Sequence, residues 1–354
     1  MTVADLSAGL EPAREHFLDR RPDDPRLRQA ANIWLHDDQG RFALPRFGIE
    51  RVGQDWDHPA VQANIAFPDG RVLVGNTVAD AHPARDERGQ PTVLGSGPLR
   101  FQCLAPFRRW TLSFHGPAVD TNVADQAAGR VATGPLVDVE IHAELTMAVP
   151  PWVEGDGSAE QKMIDTGHRH EQLFTARGTL RAGDGAPIEF TASGLRIYRR
   201  GVRVMTQFQG HTWQAAVFPS GRAFGYTALP GPPDGAAGYA RGFVFDGERM
   251  YPATPVEVPW LTTFTPEGGD VGFALRSELG THRVAARTTT SCATAGRAAL
   301  AAVAALNSGT AGRDLFLHQG GARYTWDGER AYGMVERALP VAKVTTSGGS
   351  PGRH

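Results

Sequence analysis

Short stretches in which apolar and polar residues alternate run the length of the chain: Arg71–Val74, Trp110–Phe114, Val137–Leu145, Glu189–Ala192 and Arg323–Trp326. A period of two puts successive side chains on opposite faces, the pattern of a half-buried antiparallel strand. Glycines and prolines break these stretches apart. Asp184-Gly185, Asp246-Gly247 and Asp327-Gly328 mark hairpin turns, because Gly supplies the positive φ such turns need. The prediction is an all-β chain of antiparallel strands in up-and-down order. Helical character is confined to residues 11–19 and to Thr294–Leu306, an Ala-rich run of high helix propensity.

One motif occurs twice. Phe67-Pro68-Asp69-Gly70-Arg71 recurs as Phe218-Pro219-Ser220-Gly221-Arg222, and Trp110 and Trp260 follow at nearly the same offset. Repetition at domain length predicts two related lobes whose repeated turns superpose. The Pro- and Gly-rich stretch 149–158 reads as the linker. The predicted organisation is an N-terminal helical segment (1–29), a first β-domain (30–155), a second β-domain (165–340) and a disordered Ser/Gly/Pro-rich tail (341–354). Gly210-His211-Thr212-Trp213-Gln214 precedes the second copy of the motif, whereas Ala60-Val61-Gln62-Ala63 lies before the first. A His and a Trp found in only one copy are functional candidates rather than scaffold.

With 354 residues, 41% of them hydrophobic, the chain is long enough for two cores. A net charge of −2 with arginines scattered among acids argues against nucleic acid. No apolar run approaches the roughly 20 residues of a membrane span, and the N-terminus lacks the charged-then-apolar order of a signal peptide, so a cytoplasmic protein is expected. Cys103 and Cys292 stand apart with no Cys-x-x-Cys spacing, which argues against disulfides and Cys-based zinc. Neither a Gly-x-Gly-x-x-Gly nor a phosphate-loop motif is present, so no nucleotide cofactor has a cradle; Gly-x-Ser-x-Gly is also missing.

If Arg203–Val217 is extended, Arg203, Met205, Gln207, Gln209, His211 and Trp213 share one face. Long polar and aromatic groups on one face of a barrel strand fit a lined cavity; the alternative is a structural histidine beneath the Trp ring. In His168-Arg169-His170-Glu171-Gln172 the two histidines point the same way and could begin a metal site. His211 or a carboxylate would be the third ligand, but no His-Glu-x-x-His or Cys cluster supports the site, so polar lining or surface histidines are the favoured reading and no metal is expected. Asp234 reads as a turn former. Glu336 shares a face with Tyr332 and Met334, as an edge residue or a cavity acid.

The strand Phe107-Arg108-Arg109-Trp110-Thr111-Leu112, then His170-Glu171-Gln172, Gly194–Arg203 and His211-Thr212-Trp213, resembles the hydroxyneurosporene-synthase-like group over roughly residues 30–340. This group includes carotenoid hydratases and related lipocalin-like hydratases and cyclases. The resemblance implies two lipocalin-like antiparallel β-barrels in tandem, a cavity for an apolar small molecule and no cofactor. It implies a hydratase, cyclase or isomerase acting by acid–base chemistry on an isoprenoid-like or polycyclic substrate; the alternative is a non-catalytic carrier. His211 is then the acid or the water holder, with Glu171 setting its protonation and Glu336 as a further carboxylate. Trp213, Tyr226, His170, Gln209, Met205 and Tyr332 would contact substrate, the aromatic faces steadying a carbocation formed on an alkene. Many relatives carry an acid directly before the motif histidine. Here Gly210 stands at that place, so Glu171 or Glu336 would have to replace it. Oligomeric state is left open by the sequence.

Overall fold

The computed structural model describes residues 5–153, 166–202, 208–231, 238–297 and 314–346. Eight strands form the first barrel: β1 (Arg28–Asp37), β2 (Ala43–Val52), β3 (Ala60–Ala66), β4 (Arg71–Val74), β5 (Arg109–Asn122), β6 (Leu136–Met147), β7 (Thr166–Ala182) and β8 (Ile188–Val202). Each pairs antiparallel with the next, and β8 returns to β1, with Arg28 opposite Gly201 and Asp37 opposite Ala192. A hairpin of Val93–Ser96 and Leu99–Ala105 extends the edge of β5. The second barrel closes in the same way from β9 (His211–Val217), β10 (Ala223–Ala228), β11 (Ala240–Phe245), β12 (Met250–Glu257), β13 (Phe273–Ser277), β14 (Gly280–Ala295), β15 (Leu315–Trp326) and β16 (Glu329–Pro340), with β16 paired to β9. Closure removes the exposed edges that an open sheet leaves.

The expected all-β tandem of barrels is what the chain forms, but the division falls elsewhere. β7 and β8, assigned from sequence to the second domain, complete the first ring, so the changeover lies between Val202 and His211. The misreading came from composition. Pro150 and Pro151 lie within the connection from β6 to β7, and Trp152–Val153 beyond them pair with His170 and Glu171. At the N-terminus, residues 11–19 form one 3-10 turn, Pro12–Glu15, because the chain is already extended at Glu11 and His16. Thr294 and Ala295 finish β14, while residues 298–306 of the expected late helix lie outside the described residues. Thr345–Thr346, placed in the tail, pair in parallel with Thr263–Phe264.

The repeated motif makes the same turn twice. Phe67 N–H donates to Arg71 O at 3.0 Å and Phe218 N–H to Arg222 O at 2.8 Å, with Gly70 and Gly221 at φ +86° and +85°. Yet the first turn joins β3 to β4 and the second joins β9 to β10, the third and first hairpins of their rings. Trp110 lies on β5, whereas Trp260 lies in the connection after β12. The two copies therefore answer a shared local turn chemistry rather than equivalent places in two lobes. In ring order the counterpart of β9 is β1, not β3.

The first barrel is filled by a dense apolar core that includes Phe47, Phe101, Trp110, Leu112, Phe114 and Phe174. Every residue of β1 is buried, because its inner face meets this core and its outer face meets the second barrel. Between the barrels Trp34, Leu173, Leu195, Ile197, Trp213, Ala215 and Met334 form an apolar seam. His36 is also buried there. It packs over Gly321, where a Cβ would come within 2.8 Å of its Nδ1, and neither of its ring nitrogens has a hydrogen-bond partner among the described residues. Burial pushes its pKa down to about 3. No helix among the described residues is long and apolar enough to cross a membrane.

Candidate functional site

Strand alternation decides which predicted residues meet. On β9, His211, Trp213 and Ala215 face the seam, while Thr212, Gln214 and Ala216 face the second barrel's interior. Across the ladder Trp213 is opposite both Thr227 and Glu336, so Glu336 enters the seam beside His211. His211 Nε2 lies 3.0 Å from Glu336 Oε1, and Gln319 Nε2 donates to Glu336 Oε2 at 2.6 Å. Gln62 of the first barrel donates in turn to Gln319 Oε1 at 3.2 Å. Burial raises the Glu336 carboxyl pKa, but the His211 hydrogen bond and charge, with Arg46 and Gln319 behind them, outweigh it and hold the value at about 2. An ionised Glu336 is acceptor-only, so it accepts a hydrogen bond from His211 Nε2–H and leaves Nδ1 as the ring nitrogen open to other partners. Among the described residues His211 Nδ1 has no partner.

Both barrels line the cavity at this pair, with Asn32, Trp34, Arg46, Arg169, Ile197 and Arg199 on one side and Phe208, His211, Trp213, Thr227, Leu229 and Glu336 on the other. Its volume of about 60 Å³ holds about two waters, at roughly 30 Å³ each. Trp34 and Trp213 meet edge to face, with ring centroids 4.7 Å apart. Glu171 ion-pairs with Arg169 and accepts from Trp213 Nε1 at 3.1 Å. It therefore positions the Trp, and the carboxylate that contacts His211 is Glu336.

Gly210 leaves no room for an acid directly before His211. Its φ is +126°, and a Cβ there would stand 2.2 Å from Ala338 O, so no acidic side chain fits directly before His211. The carboxylate arrives from the neighbouring strand instead.

Arg46 was not anticipated. It sits in a bulge of β2, where the register with β3 shifts between Ala43 and Phe47, and it adopts φ +70°, uncommon for a residue with a Cβ. That geometry turns its guanidinium into the cavity, where Nε donates to Asn32 at 3.2 Å and Nη2 to Glu50 at 2.8 Å. Burial lowers its pKa to about 10, with Glu336 opposing that change. Only the dipeptide Pro45-Arg46 within an apolar strand hinted at the bulge.

The other predicted residues go elsewhere. Tyr226, expected beside His211, points into the second barrel and accepts a hydrogen bond from Gln214 at 2.7 Å, because it faces Gln214 across the ladder. Tyr332 lies on the seam face of β16, roughly 13 Å along the strand from Glu336. It lines a separate groove of about 890 Å³ on the surface between the barrels. Gln209 is half-buried just before β9 and does not line the cavity; Met205 and Asp234 fall outside the described residues.

His170 is fully buried inside the first barrel, not at the seam. Its Nε2 is 2.6 Å from Glu15 Oε1 and its Nδ1 is 2.9 Å from His168 Nε2. Arg196 donates to Glu15 at 3.0 Å and to Gln172 at 2.6 Å, and Trp110 Nε1 donates to Glu15 at 2.8 Å. Burial raises the Glu15 pKa, but Arg196 and His170 outweigh it and bring it to about 2. Glu15, on the turn ahead of the first strand, was not foreseen as part of any cluster. No group of three or more metal-ligating side chains occurs among the described residues.

Residues 19–340 match a family described as a domain of unknown function, DUF7064. No curated protein sequence matches the chain. Several solved structures share its fold. A putative AttH from Nitrosomonas europaea aligns with a TM-score of 0.56 at 13% identity, over 89% of this chain and 93% of that one. CghA in complex with Sch210972 aligns at 0.57 and 9% identity, over 90% and 89%. Kievitone hydratase from Nectria haematococca aligns at 0.50 and 10% identity, over 95% and 96%. Likeness at such identities establishes the tandem-barrel fold, and the chemistry has to be argued from the residues present.

Proposed function

The chain belongs to the DUF7064 family, and from that premise we propose that it is a cofactor-independent acid–base enzyme, a lyase or isomerase, acting on an apolar substrate at the seam between its barrels. The observation that carries this reading is the desolvated His211–Glu336 pair with His211 Nδ1 unpartnered beside a cavity. Glu336 orients the ring and stabilises the imidazolium formed when Nδ1 takes a proton. The same Nδ1–H then returns the proton, to another carbon in an isomerisation or cyclisation, or to a leaving hydroxyl in a dehydration.

The lining favours one charge type. Arg46, Arg169 and Arg199 surround the pair. Arg46 is paired with Glu50 and Arg169 with Glu171, yet their N–H groups remain hydrogen-bond donors at the cavity wall, an arrangement better suited to developing negative charge than to a carbocation. An enolate formed by proton removal next to a carbonyl fits better than protonation of an isolated alkene, so the carbocation route inferred from sequence gives way. Trp34, Trp213 and Phe208 supply apolar contact for the flanking carbon skeleton. At about 60 Å³ the cavity accommodates the reacting atoms and a water, with the rest of the substrate outside. That similar folds include a protein named as a hydratase agrees with this reaction class.

Deuterium incorporation tests the reading even while the natural substrate is unidentified. In D₂O, a panel of apolar enones and 1,3-dicarbonyl compounds should include members whose exchange the wild type accelerates and His211→Asn does not. A panel compound that binds both proteins with equal affinity, with no accelerated exchange anywhere in the panel, would establish a carrier instead.

A further inference from the structure

Arg337 of β16 is buried inside the second barrel, on the opposite face of the strand from Glu336. Of the six other buried arginines among the described residues, Arg28, Arg46, Arg169 and Arg196 each meet a carboxylate, and Arg51 donates to Trp56 O at 2.6 Å with its guanidinium over that ring. Arg337 meets no carboxylate among the described residues. Its Nη1 reaches Pro259 O at 3.4 Å, its Nη2 reaches His318 Nδ1 at 3.3 Å, and its Nε has no partner. A guanidinium taken out of water with two long hydrogen bonds and no counterion is a costly arrangement that a bound anion would relieve.

The ladder brings further donors to the same layer. Thr212 and His318 lie directly opposite Arg337 on the two flanking strands, so the three side chains share the inner face. Thr212 Oγ1 is buried and has no partner among the described residues. His318 Nε2 is engaged with Ser291 Oγ at 2.9 Å, which leaves Nδ1 facing Arg337. One layer deeper, Gln214 links the hydroxyls of Tyr226 and Tyr324 at 2.7 and 2.8 Å. Below that, Phe218, Phe224, Phe273 and Trp326 fill the barrel, so an occupant has to be compact at its inner end. Above, the segment carrying Pro259, Trp260 and Leu261 covers the barrel end.

We propose that Arg337 anchors an anion site inside the second barrel, fitted to the carboxylate of an organic acid. The planar fork of a guanidinium matches a carboxylate through two parallel N–H donors, with the Thr212 hydroxyl as a third. A single cation with neutral neighbours balances one negative charge and under-compensates a phosphate dianion. The site stands independently of the seam chemistry, since it occupies the other face of the same strands.

Thermal denaturation of the full chain in sodium acetate or sodium octanoate, each against sodium chloride of equal ionic strength, tests the proposal. At least one carboxylate should raise the wild-type Tm by about 2 °C or more. A response to acetate alone identifies a small free acid, and a stronger response to octanoate the head of a longer one. Arg337→Met, which removes the uncompensated charge, should melt no lower than wild type in chloride and show no response to either acid. Thr212→Val should respond with roughly threefold weaker affinity. No carboxylate response in the wild type, or an unchanged response in Arg337→Met, overturns the site. Should Arg337→Met not fold, Arg337→Lys keeps the charge but loses the fork and should bind about tenfold more weakly; equal affinity overturns the proposal.

Discussion

His170 lies 2.6 Å from Glu15 inside the first barrel, and His211 lies 3.0 Å from Glu336 at the seam. In both pairs burial pushes the carboxyl pKa up, and neighbouring charge and hydrogen bonds outweigh it to give a value of about 2. Seen only as residue types and distances, the two are alike. They differ in what remains unused. Around Glu15, Arg196 and Trp110 join His170, and His168 takes the far nitrogen of that ring. At Glu336 the far nitrogen of the histidine is left over, beside a cavity. A histidine–carboxylate pair thus becomes a candidate for chemistry through an unspent lone pair and adjacent space, and a fully satisfied pair is a fastening.

The sharpest way to break this contrast is to remove each histidine or its partner in turn. His211→Ala should lower turnover by about 10²–10⁴-fold and lower the denaturation midpoint by less than the loss of Glu15, because Gln319 and Arg46 still support the buried Glu336. If that variant instead unfolds early and exchanges deuterium at the wild-type rate per folded molecule, the seam pair is structural too. Glu15→Ala should do the opposite. Stranding Arg196 in the core should cost about 3–5 kcal/mol by urea denaturation, with little change in turnover per folded molecule. Trp213→Ala should combine both losses, with about 3–5 kcal/mol from the emptied seam and the release of Glu171 and Arg169.

Acid titration separates the contributions further. The Glu15 and Glu336 pKa values are depressed in the fold, so the stability they contribute is complete above the ordinary carboxyl value of 4.5 and is lost as pH falls towards 2. His36 is held neutral, and its depressed pKa makes the unfolded chain the better proton acceptor from pH 6.5 down to about 3. Stability should therefore begin to fall below pH 6.5. His36→Gln should flatten the upper part of that decline, and Glu15→Gln the part below 4.5, in denaturation series across pH. The smallest effect is expected at Tyr332, which lines the outer groove and not the cavity. Tyr332→Phe should keep turnover within about twofold of wild type.

The barrels were legible because period-two alternation is a local signal, and the turns at Asp184, Asp246 and Asp327 all join paired strands. Alternation also separated His170 from Glu171 and brought Trp213 and His211 to one face. It gave no sign of which strands pair across the chain. β7 and β8 were therefore misassigned, and the offset between the two Phe-Pro-x-Gly-Arg turns looked like duplication. Glu336 was visible as an acid with two possible fates, and only the register of β16 against β9 decided between them. Arg46 and Glu15 were hidden for different reasons. One depends on a bulge, and the other on a short turn far from its partners in sequence.

The return of β8 to β1 has a consequence for how the chain is made. Arg28 must wait for Gly201, roughly 170 residues later, so the first ring has high contact order and cannot seal until nearly three-fifths of the polypeptide has been synthesised. Even then its outer face, with Trp34, Leu173 and Leu195, stays bare until the second ring is complete. The apolar contact that unites the mature halves is thus, on the ribosome, an adhesive surface left open to aggregation until the second ring closes and His211 and Glu336 come together.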